Sequence, residues 1–538
     1  MEKLLRLAVL GKCNTSIHVY IPNNLYPLNP ILMKTSLYLA LIISTALVNT
    51  LFAQLTPVTD IGTHTVSVGV PEKFEAEFST PRTLNVPTNY TVSVYQAGGL
   101  DKPRFMAFSP SGVLHVSDMN AGKVFALPDA DNDGIADTII TVATGFSNNH
   151  DVTFYNGAMY VTETTRIWKC TDQDQDGTYE TKEIFISNIG NGQTSGHVTR
   201  TLVFDAINHK AYVSVGSSCN VCRETARAII EQYDENGSNR KVIATGVRNA
   251  VGMALHPVTN QLWANNNGSD QQGNEIPPEW IDIVRENGFY GHPFVYGNGT
   301  WFNFNTGGYQ SLLPITAADS AKVATLVPPA ALIRAHSAPM ALEFLNSNFG
   351  PDLQYGFLSA LRGSWNTTNP NDFRGYKVIY GHLSSAQDTT VDYVADFCSG
   401  FITDTVNRVF WGRPVGIATD EDGKVYISSD EGNSVILVMT PEGATGVADE
   451  KIELNSASLY PNPAKGEITL SLSLSQSANV TIYVYDVNGK EVLFIPGEWY
   501  YNGKHNVEID VDALPLGMYM VKINTGNTFI TQKVLLIE

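Results

Sequence analysis

Basic residues are scarce in this chain. Its 538 residues include 34 Lys and Arg against 53 Asp and Glu, a formal net charge of −19. A phosphate backbone is held by clustered positive charge, so nucleic acid is excluded as a partner. Charged residues of both signs make up only 16% of the chain, while 44 Gly and 26 Pro supply many turns. That balance disfavours helical bundles and favours β-rich architecture. Cysteine is sparse as well, with five positions: Cys13, Cys170, Cys219, Cys222 and Cys398. The Cys219-Asn-Val-Cys222 pair has no second Cys or His pair at the spacing a zinc site needs. No His follows Cys222, which excludes covalent haem attachment. No Gly-x-Ser-x-Gly elbow occurs, so a serine nucleophile of that type is unsupported.

What is present falls into several regions. The length is too great for one ordinary core, so two or more domains are expected. Residues 33–53 have one Lys near the start, then an apolar run, then Ala53 before Gln54. That is the layout of a secretory signal peptide. Polar Ser, Thr and Asn interrupt the run, which argues against a membrane span of about 20 residues and implies no transmembrane span in the mature form. A signal begins at its initiator, so Met33 is expected to be the true start and residues 1–32 an over-extended start. Cys13 is then lost, and Cys170, Cys219, Cys222 and Cys398 remain as disulfide candidates in an oxidising compartment.

Residues 54–90 are rich in Thr, Pro and Val and are expected to link or to add an outer strand. The other end is a separate unit. After a polar linker at 443–454, residues 455–538 carry alternating runs such as Thr481–Tyr485 and an Asn488-Gly489 turn. These predict a small Ig-like β-sandwich. The succession YPNP, YDVNGK, LPLGMY and a final KVLL resembles the C-terminal sorting domain of the type IX (Por) secretion system. The resemblance implies passage across an outer membrane by the type IX secretion machinery, and a secreted or cell-surface location.

Between these ends one pattern recurs six times: a short apolar strand, a turn, and a second strand ending in small or polar residues. The copies begin at Met106, Val152, Leu202, Met253, Leu342 and Gly416. The first four start about 50 residues apart, close to one propeller blade each, and the longer later intervals need inserted loops. Residues 91–442 are therefore expected to form a six-bladed β-propeller in an all-β chain. Equivalent positions of the blades then surround one channel, which brings residues distant in sequence to one ligand.

Two acidic loops, DADNDGIAD and DQDQDGTYE, offer Asp129, Asp131, Asp133 and Asp137, and Asp172, Asp174, Asp176 and Glu180. Alternating oxygen ligands and a Gly at the sharp turn are the pattern of calcium loops, here shorter than an EF-hand. Arg248 and Arg413 each lie a few residues before a first blade strand, and Arg362 follows a second strand. Converging guanidinium groups repel unless anions compensate them, which suits a ligand carrying carboxylates. His197 occupies the pre-strand position of the third copy, and a pKa near 6.5 suits a general base. His150 and His336 occupy similar positions.

The segments GHVTRTLVF, YVSVGSSCNVC, GVRNAVGMALHP, NGFYGHP, HSAPMALEF, LRGSW with GYKV, and RPVGIATDEDGKVYISSD, in that order, resemble the glucose/sorbosone dehydrogenase family. These are soluble quinoprotein propellers that use pyrroloquinoline quinone (PQQ). The resemblance implies His197 as the base, and Arg248, Asn249, Arg362 and Arg413 as cofactor contacts. It places the cofactor calcium near Gly268 and Ser269, and implies a sugar substrate and an external electron acceptor. The glucose enzymes have an Asp before the base and a further Arg two positions before the one matched by Arg413; here these are Gly196 and Trp411. Fewer charges imply weaker or altered cofactor binding, and loss of the acidic neighbour removes one device for orienting the imidazole. Two other classes compete with a dehydrogenase: a non-catalytic surface propeller that binds glycans or proteins, and a calcium-dependent lactonase-like hydrolase.

Overall fold

The computed structural model describes residues 54–367, 372–442, 454–474, 478–487, 490–500, 503–525 and 529–537. The start-site and signal-peptide expectations, with Cys13, lie outside these residues.

Six antiparallel sheets of at least four strands form the blades. Blade 1 is Pro103–Phe108, Leu114–Asp118, Lys123–Leu127 and Ile140–Thr144; blade 2 is Val152–Tyr155, Ala158–Thr162, Ile167–Thr171 and Thr181–Ile186. Blade 3 is Leu202–Asp205, Lys210–Val215, Ile229–Asp234 and Lys241–Thr245; blade 4 is Met253–Leu255, Leu262–Asn266, Glu279–Ile283 and Ala331–Ile333. Blade 5 is Pro339–Phe344, Phe357–Leu361, Lys377–His382 and Tyr393–Cys398. Blade 6 is Pro414–Thr419, Val425–Ser429 and Val435–Pro441, completed by Tyr90–Ala97, which pairs antiparallel with Val435–Pro441. The last blade thus takes its outer strand from the start of the propeller, which closes the ring. The six copies legible in the sequence are the first two strands of the six blades.

The second strands are buried along their whole length in all six blades, apart from the first residue of Lys210–Val215. A strand covered on both faces reads as a run of β-branched, aromatic and small residues rather than an alternation. A polar side chain there must find a partner inside. Thr162 Oγ1 donates to Arg200 O of the next blade at 2.7 Å, Asn265 Nδ2 to Met340 O at 2.7 Å, and Ser428 Oγ to Arg104 O at 2.6 Å. Blades approach closely at these seams. A Cβ at Gly252 would lie 2.2 Å from Met340 O, and one at Gly416 2.4 Å from Arg104 O.

Residues 54–90 do more than link. Thr63–Ser67 pairs with Thr83–Pro87, and the segment before them straps the outer strands of blades 4 and 5. Thr56 N donates to Leu332 O at 2.8 Å, and Thr59 N to Val394 O at 2.9 Å. The long interval in blade 4 is an insertion between its third and fourth strands. Within it Gly288–Phe289 runs parallel to Lys241–Thr245, and a helix spans Ala317–Val323, capped by Thr316 and Asp319.

In the C-terminal region seven strands are hydrogen-bonded in the order Glu491–Tyr500, Ala478–Tyr485, Gly517–Asn524, Phe529–Leu536, Leu454–Lys465, Glu467–Leu474 and Gly503–Asp510. A parallel pairing of Ala464 with Leu536 joins the two antiparallel groups. Strand Glu467–Leu474 alternates buried and outward residues, so Ile468, Leu470, Leu472 and Leu474 join Val484, Val521 and Ile523 in a separate core. Among the described residues, no helix is long and apolar enough to cross a membrane.

The cysteines divide unequally. Cys219 and Cys222 form a disulfide. Cys170 and Cys398, expected as disulfide candidates, are instead free thiols buried in blades 2 and 5. They pack among apolar side chains of separate clusters, and burial pushes the Cys170 thiol up to about 12.

Candidate active site

In an antiparallel blade, the start of the first strand and the end of the second lie at the same end. Arg104, His150, His197, Arg248, His336 and Arg413 come from the first position, and Ser217, Asp270, Arg362 and Asp430 from the second. The structure brings them into a ring of polar contacts at one mouth of the channel. Arg104 Nε donates to His150 Nδ1 at 3.2 Å and also pairs with Asp430. Asp430 meets Arg362 Nε at 2.8 Å, and Arg362 O accepts from Arg413 Nε at 2.9 Å. Gly363 N donates to Ser337 O at 2.9 Å, and the adjacent His336 faces Asp270 at 3.6 Å. Asp270 meets Arg248 Nη2 at 3.3 Å, and Arg248 O accepts from Ser217 N at 2.7 Å, next to His197.

His197 is held from one side. Its Nδ1 lies 2.9 Å from Ser217 O and 3.0 Å from Ser217 Oγ. A carbonyl oxygen only accepts, so Nδ1 carries the proton and Nε2 keeps its lone pair. The backbone of Ser217 thereby does the orienting that a preceding Asp would do, and Gly196 can lack a side chain. It must: a Cβ at Gly196, where φ is +73°, would lie 2.3 Å from Ser218 O. Burial first, then the Arg248 guanidinium, lowers the His197 pKa to about 3. The imidazole is neutral across the physiological range.

Arg248 is fully engaged. Its Nε donates to Asn220 O at 3.0 Å, Nη1 to Gly268 O at 2.6 Å and Asn267 O at 3.3 Å, and Nη2 to Asn220 Oδ1 at 2.9 Å and to Asp270. All five guanidinium N–H groups are spent on the protein. Asn249 donates its N–H to Asn266 Oδ1 at 2.9 Å, while its own Oδ1 is buried with no hydrogen-bond partner. Gly216 makes room for it, since a Cβ there would lie 2.3 Å from Asn249 Oδ1 and 2.7 Å from His197 Cβ. Burial opposes charge on His336, but Asp270, the Gly273 carbonyl and Glu279 outweigh it and raise its pKa. His336 sits at φ +64° and Ala338 at +54°, the left-handed region that concentrates at functional sites.

Arg362 and Arg413 differ from Arg248. Glu431 bridges them, accepting from Arg362 Nη2 at 2.7 Å and Arg413 Nη1 at 2.9 Å. Asp430 is fully buried, whereas the Glu431 side chain is 47% exposed. Arg413 also lies over the rings of Tyr376 and Phe410. Both guanidinium groups retain N–H donors beyond those used on the protein. Sequence reasoning found these cations but not Asp270, Asp430 and Glu431 that answer them. The signal was the polar ending of the second strands, NNNGSD and ISSDEG, read only as part of the repeat.

The expected metal residues are in two places. Gly268 O already accepts from Arg248, its N–H donates to Glu279, and Ser269 Oγ receives Tyr309 Oη at 2.6 Å. The acidic loops join third to fourth strands of blades 1 and 2, at the end of the blades away from His197. Asp129, Asp131 and Asp133 converge, as do Asp172, Asp174, Asp176 and Glu180. Asp137 does not join its group; its Oδ2 accepts from Ala130 N at 2.8 Å and pins the loop backbone instead.

The chain matches the TrAA12-like family over residues 84–288 and 292–441, and the family described as secretion system C-terminal sorting domain over 458–538. It is 26% identical over 369 residues to a Borreliella burgdorferi protein described as uncharacterized, covering 66% of this chain and 90% of that one. It is 23% identical over 396 residues to a pyrroloquinoline quinone-dependent sugar dehydrogenase of Hypocrea jecorina, covering 63% and 86%. Among solved structures, the holo PQQ domain of pyranose dehydrogenase from Coprinopsis cinerea superposes with a TM-score of 0.55 at 20% identity, over 69% of this chain and 98% of that one. That likeness supports the propeller fold.

Proposed function

We propose that this chain, which belongs to the TrAA12-like family and carries a secretion system C-terminal sorting domain, is an exported PQQ-dependent dehydrogenase that oxidises an aldose or sugar aldehyde. The observation that carries the reading is His197, an imidazole with Nδ1 fixed on a carbonyl and Nε2 left open, on one ring with the Arg362–Arg413 pair. The name of the Hypocrea jecorina relative supports the same chemistry.

The residues fit the cofactor in part. Arg362 and Arg413 have donors for its carboxylates, and the buried, unpaired Asn249 Oδ1 offers an acceptor beside His197. Arg248 serves as a fixed positive charge rather than a direct clamp, because its donors are spent. When bound, PQQ supplies a quinone that takes up the hydride from the sugar carbon. His197 Nε2 receives the proton of the hydroxyl on that carbon. Its low pKa keeps it unprotonated before substrate arrives, and the carboxylates of a bound anion raise its proton affinity at the moment of transfer. An external electron acceptor would be needed to complete the turnover. Calcium is proposed at the two acidic loops as a structural ion, and at the Gly268 carbonyl only if Arg248 yields it.

Purified protein titrated with PQQ, with and without calcium, tests the reading. Sugar-dependent reduction of an artificial acceptor is expected. Absence of PQQ binding, and of turnover across a panel of aldoses, would overturn it.

A further inference from the structure

We propose that Asn220, held in the two-residue loop closed by the Cys219–Cys222 disulfide, is a positioning residue that locks Arg248 and Asp270 in register with His197. The inference rests on the reading of His197 as the base. The loop connects the second and third strands of blade 3 and lies at the ring of polar residues. Asn220 makes four hydrogen bonds there. Its carbonyl accepts from Arg248 Nε at 3.0 Å, and its Oδ1 accepts from Arg248 Nη2 at 2.9 Å and from Asp270 N at 2.8 Å. Its Nδ2 donates to Asp270 O at 3.2 Å. One side chain therefore ties the guanidinium to the backbone of its own counter-ion.

The disulfide loop reaches His197 by a second route. Ser217 Oγ donates to Cys219 O at 2.7 Å and lies 3.0 Å from His197 Nδ1. Ser218 is fastened in turn, its Oγ donating to Glu224 at 2.8 Å. The outer face is anchored as well. Val221 packs with Phe302, Tyr309 and Leu312 of the blade 4 insertion, and Arg223 pairs with Asp319 and donates to Leu312 O at 2.7 Å. Tyr309 closes the circuit by donating to Asp270 O at 3.0 Å. Without the disulfide, the rim loop is held only by these outer contacts and by the hydrogen bonds of Cys219 O and Asn220, and the place of Asn220 is less firmly fixed.

Loss of the Asn220 side chain leaves one Arg248 Nη2 donor and Asp270 N without their shared acceptor, while the carbonyl of residue 220 still accepts from Arg248 Nε, so the guanidinium can tilt about that bond and its tie to Asp270 is cut. The charge beside His197 then moves, so both the proton affinity of the imidazole and the alignment of the base should change. Small displacements of a positioned group cost roughly 10²-fold in rate.

Asn220→Ala, the double variant Cys219→Ser/Cys222→Ser, and wild-type protein reduced with a phosphine and then reoxidised make the test. Two readouts are taken: ring ¹⁵N shifts of His197 against pH in cofactor-free protein, and kcat and KM of the PQQ-loaded protein. All three perturbations are expected to move the His197 titration and to lower kcat roughly 10²-fold with KM for the sugar little changed. Reoxidation should restore both. Asn220→Asp, which keeps both acceptors for Arg248 but not the donor to Asp270 O, should fall between. An Asn220→Ala protein with an unchanged His197 titration overturns the proposal, whatever its thermal stability. If the double variant does not fold, Asn220→Ala and phosphine reduction still decide. The titration is read without PQQ, so a wrong dehydrogenase assignment shows as absent turnover and leaves this measurement standing.

Discussion

His197 and its two neighbours show how a backbone carbonyl and a nearby charge together fix the tautomer and charge of an imidazole. Ser217 O sets the tautomer, and Arg248 adds to burial in keeping the ring unprotonated. Glu431 has a different part. It is the solvent-facing carboxylate on the Arg362–Arg413 pair, so it stands where a carboxylate of an anionic ligand would bond. Glu431→Gln removes that competitor and is expected to tighten PQQ binding about tenfold, the scale of one charge-assisted hydrogen bond, in an absorbance titration. Weaker binding would show that Glu431 holds the pair in place instead. Asp151 offers a test of burial. It accepts from Leu202 N at 2.9 Å, and desolvation pushes its pKa up to about 7 against that bond. An unfolded Asp titrates near 3.9, so the folded chain holds a proton that the unfolded chain has lost. The group's contribution is complete below about pH 3.9 and is lost as pH rises to about 7. Asp151→Asn should therefore gain stability relative to wild type, by about 4 kcal/mol between those limits, in urea unfolding. Parallel curves would contradict it.

The elements were unevenly legible. The first two strands of each blade carry their own signature, because a short outward turn separates two runs that must be apolar on the channel side and at the seams. The third and fourth strands lack it, and Tyr90–Ala97, which but for Tyr90 falls inside the expected propeller bounds of 91–442, carries no mark of being the closing strand. Ring closure across more than 300 residues of sequence leaves no local mark. The site divides the same way. His197, Arg248, Arg362 and Arg413 were legible from their places relative to strands, but what each cation bonds was not. Asp430 and Glu431 reach Arg362 only through the packing of blade 6 against blade 5, and Asn220 reaches Arg248 only across a seam between loops. The Cys170 and Cys398 expectation failed for the same reason, since distance between blades decides pairing and composition does not. The acidic loops, by contrast, are local structures. Asp176 beside Asp174 pushes its pKa up, a repulsion that a cation would relieve. Calcium at millimolar concentration, the range of extracellular modules, is expected to raise Tm, and Asp174→Asn to reduce that gain. Equal gains in the variant and the parent would place the ion elsewhere.

For the whole molecule, the hydrophobic core of the C-terminal region shares no residue with the clusters of the propeller. A chain ending at residue 442 keeps all six blades and the strand that closes them. It is expected to bind PQQ like the full chain but to remain unexported in a cell that secretes the parent, measured by fractionation. Loss of PQQ binding on truncation would mean that the C-terminal region supports the site. The central claim is that His197 removes a proton during sugar oxidation on a PQQ-loaded propeller. The direct measurement is sugar-dependent acceptor reduction by wild type and His197→Ala, with PQQ affinity measured separately in each. Turnover in the wild type, a fall of roughly 10² to 10⁴-fold in the variant and similar PQQ affinity are expected. Equal turnover in the two proteins, or PQQ binding with no sugar oxidation in either, would contradict it.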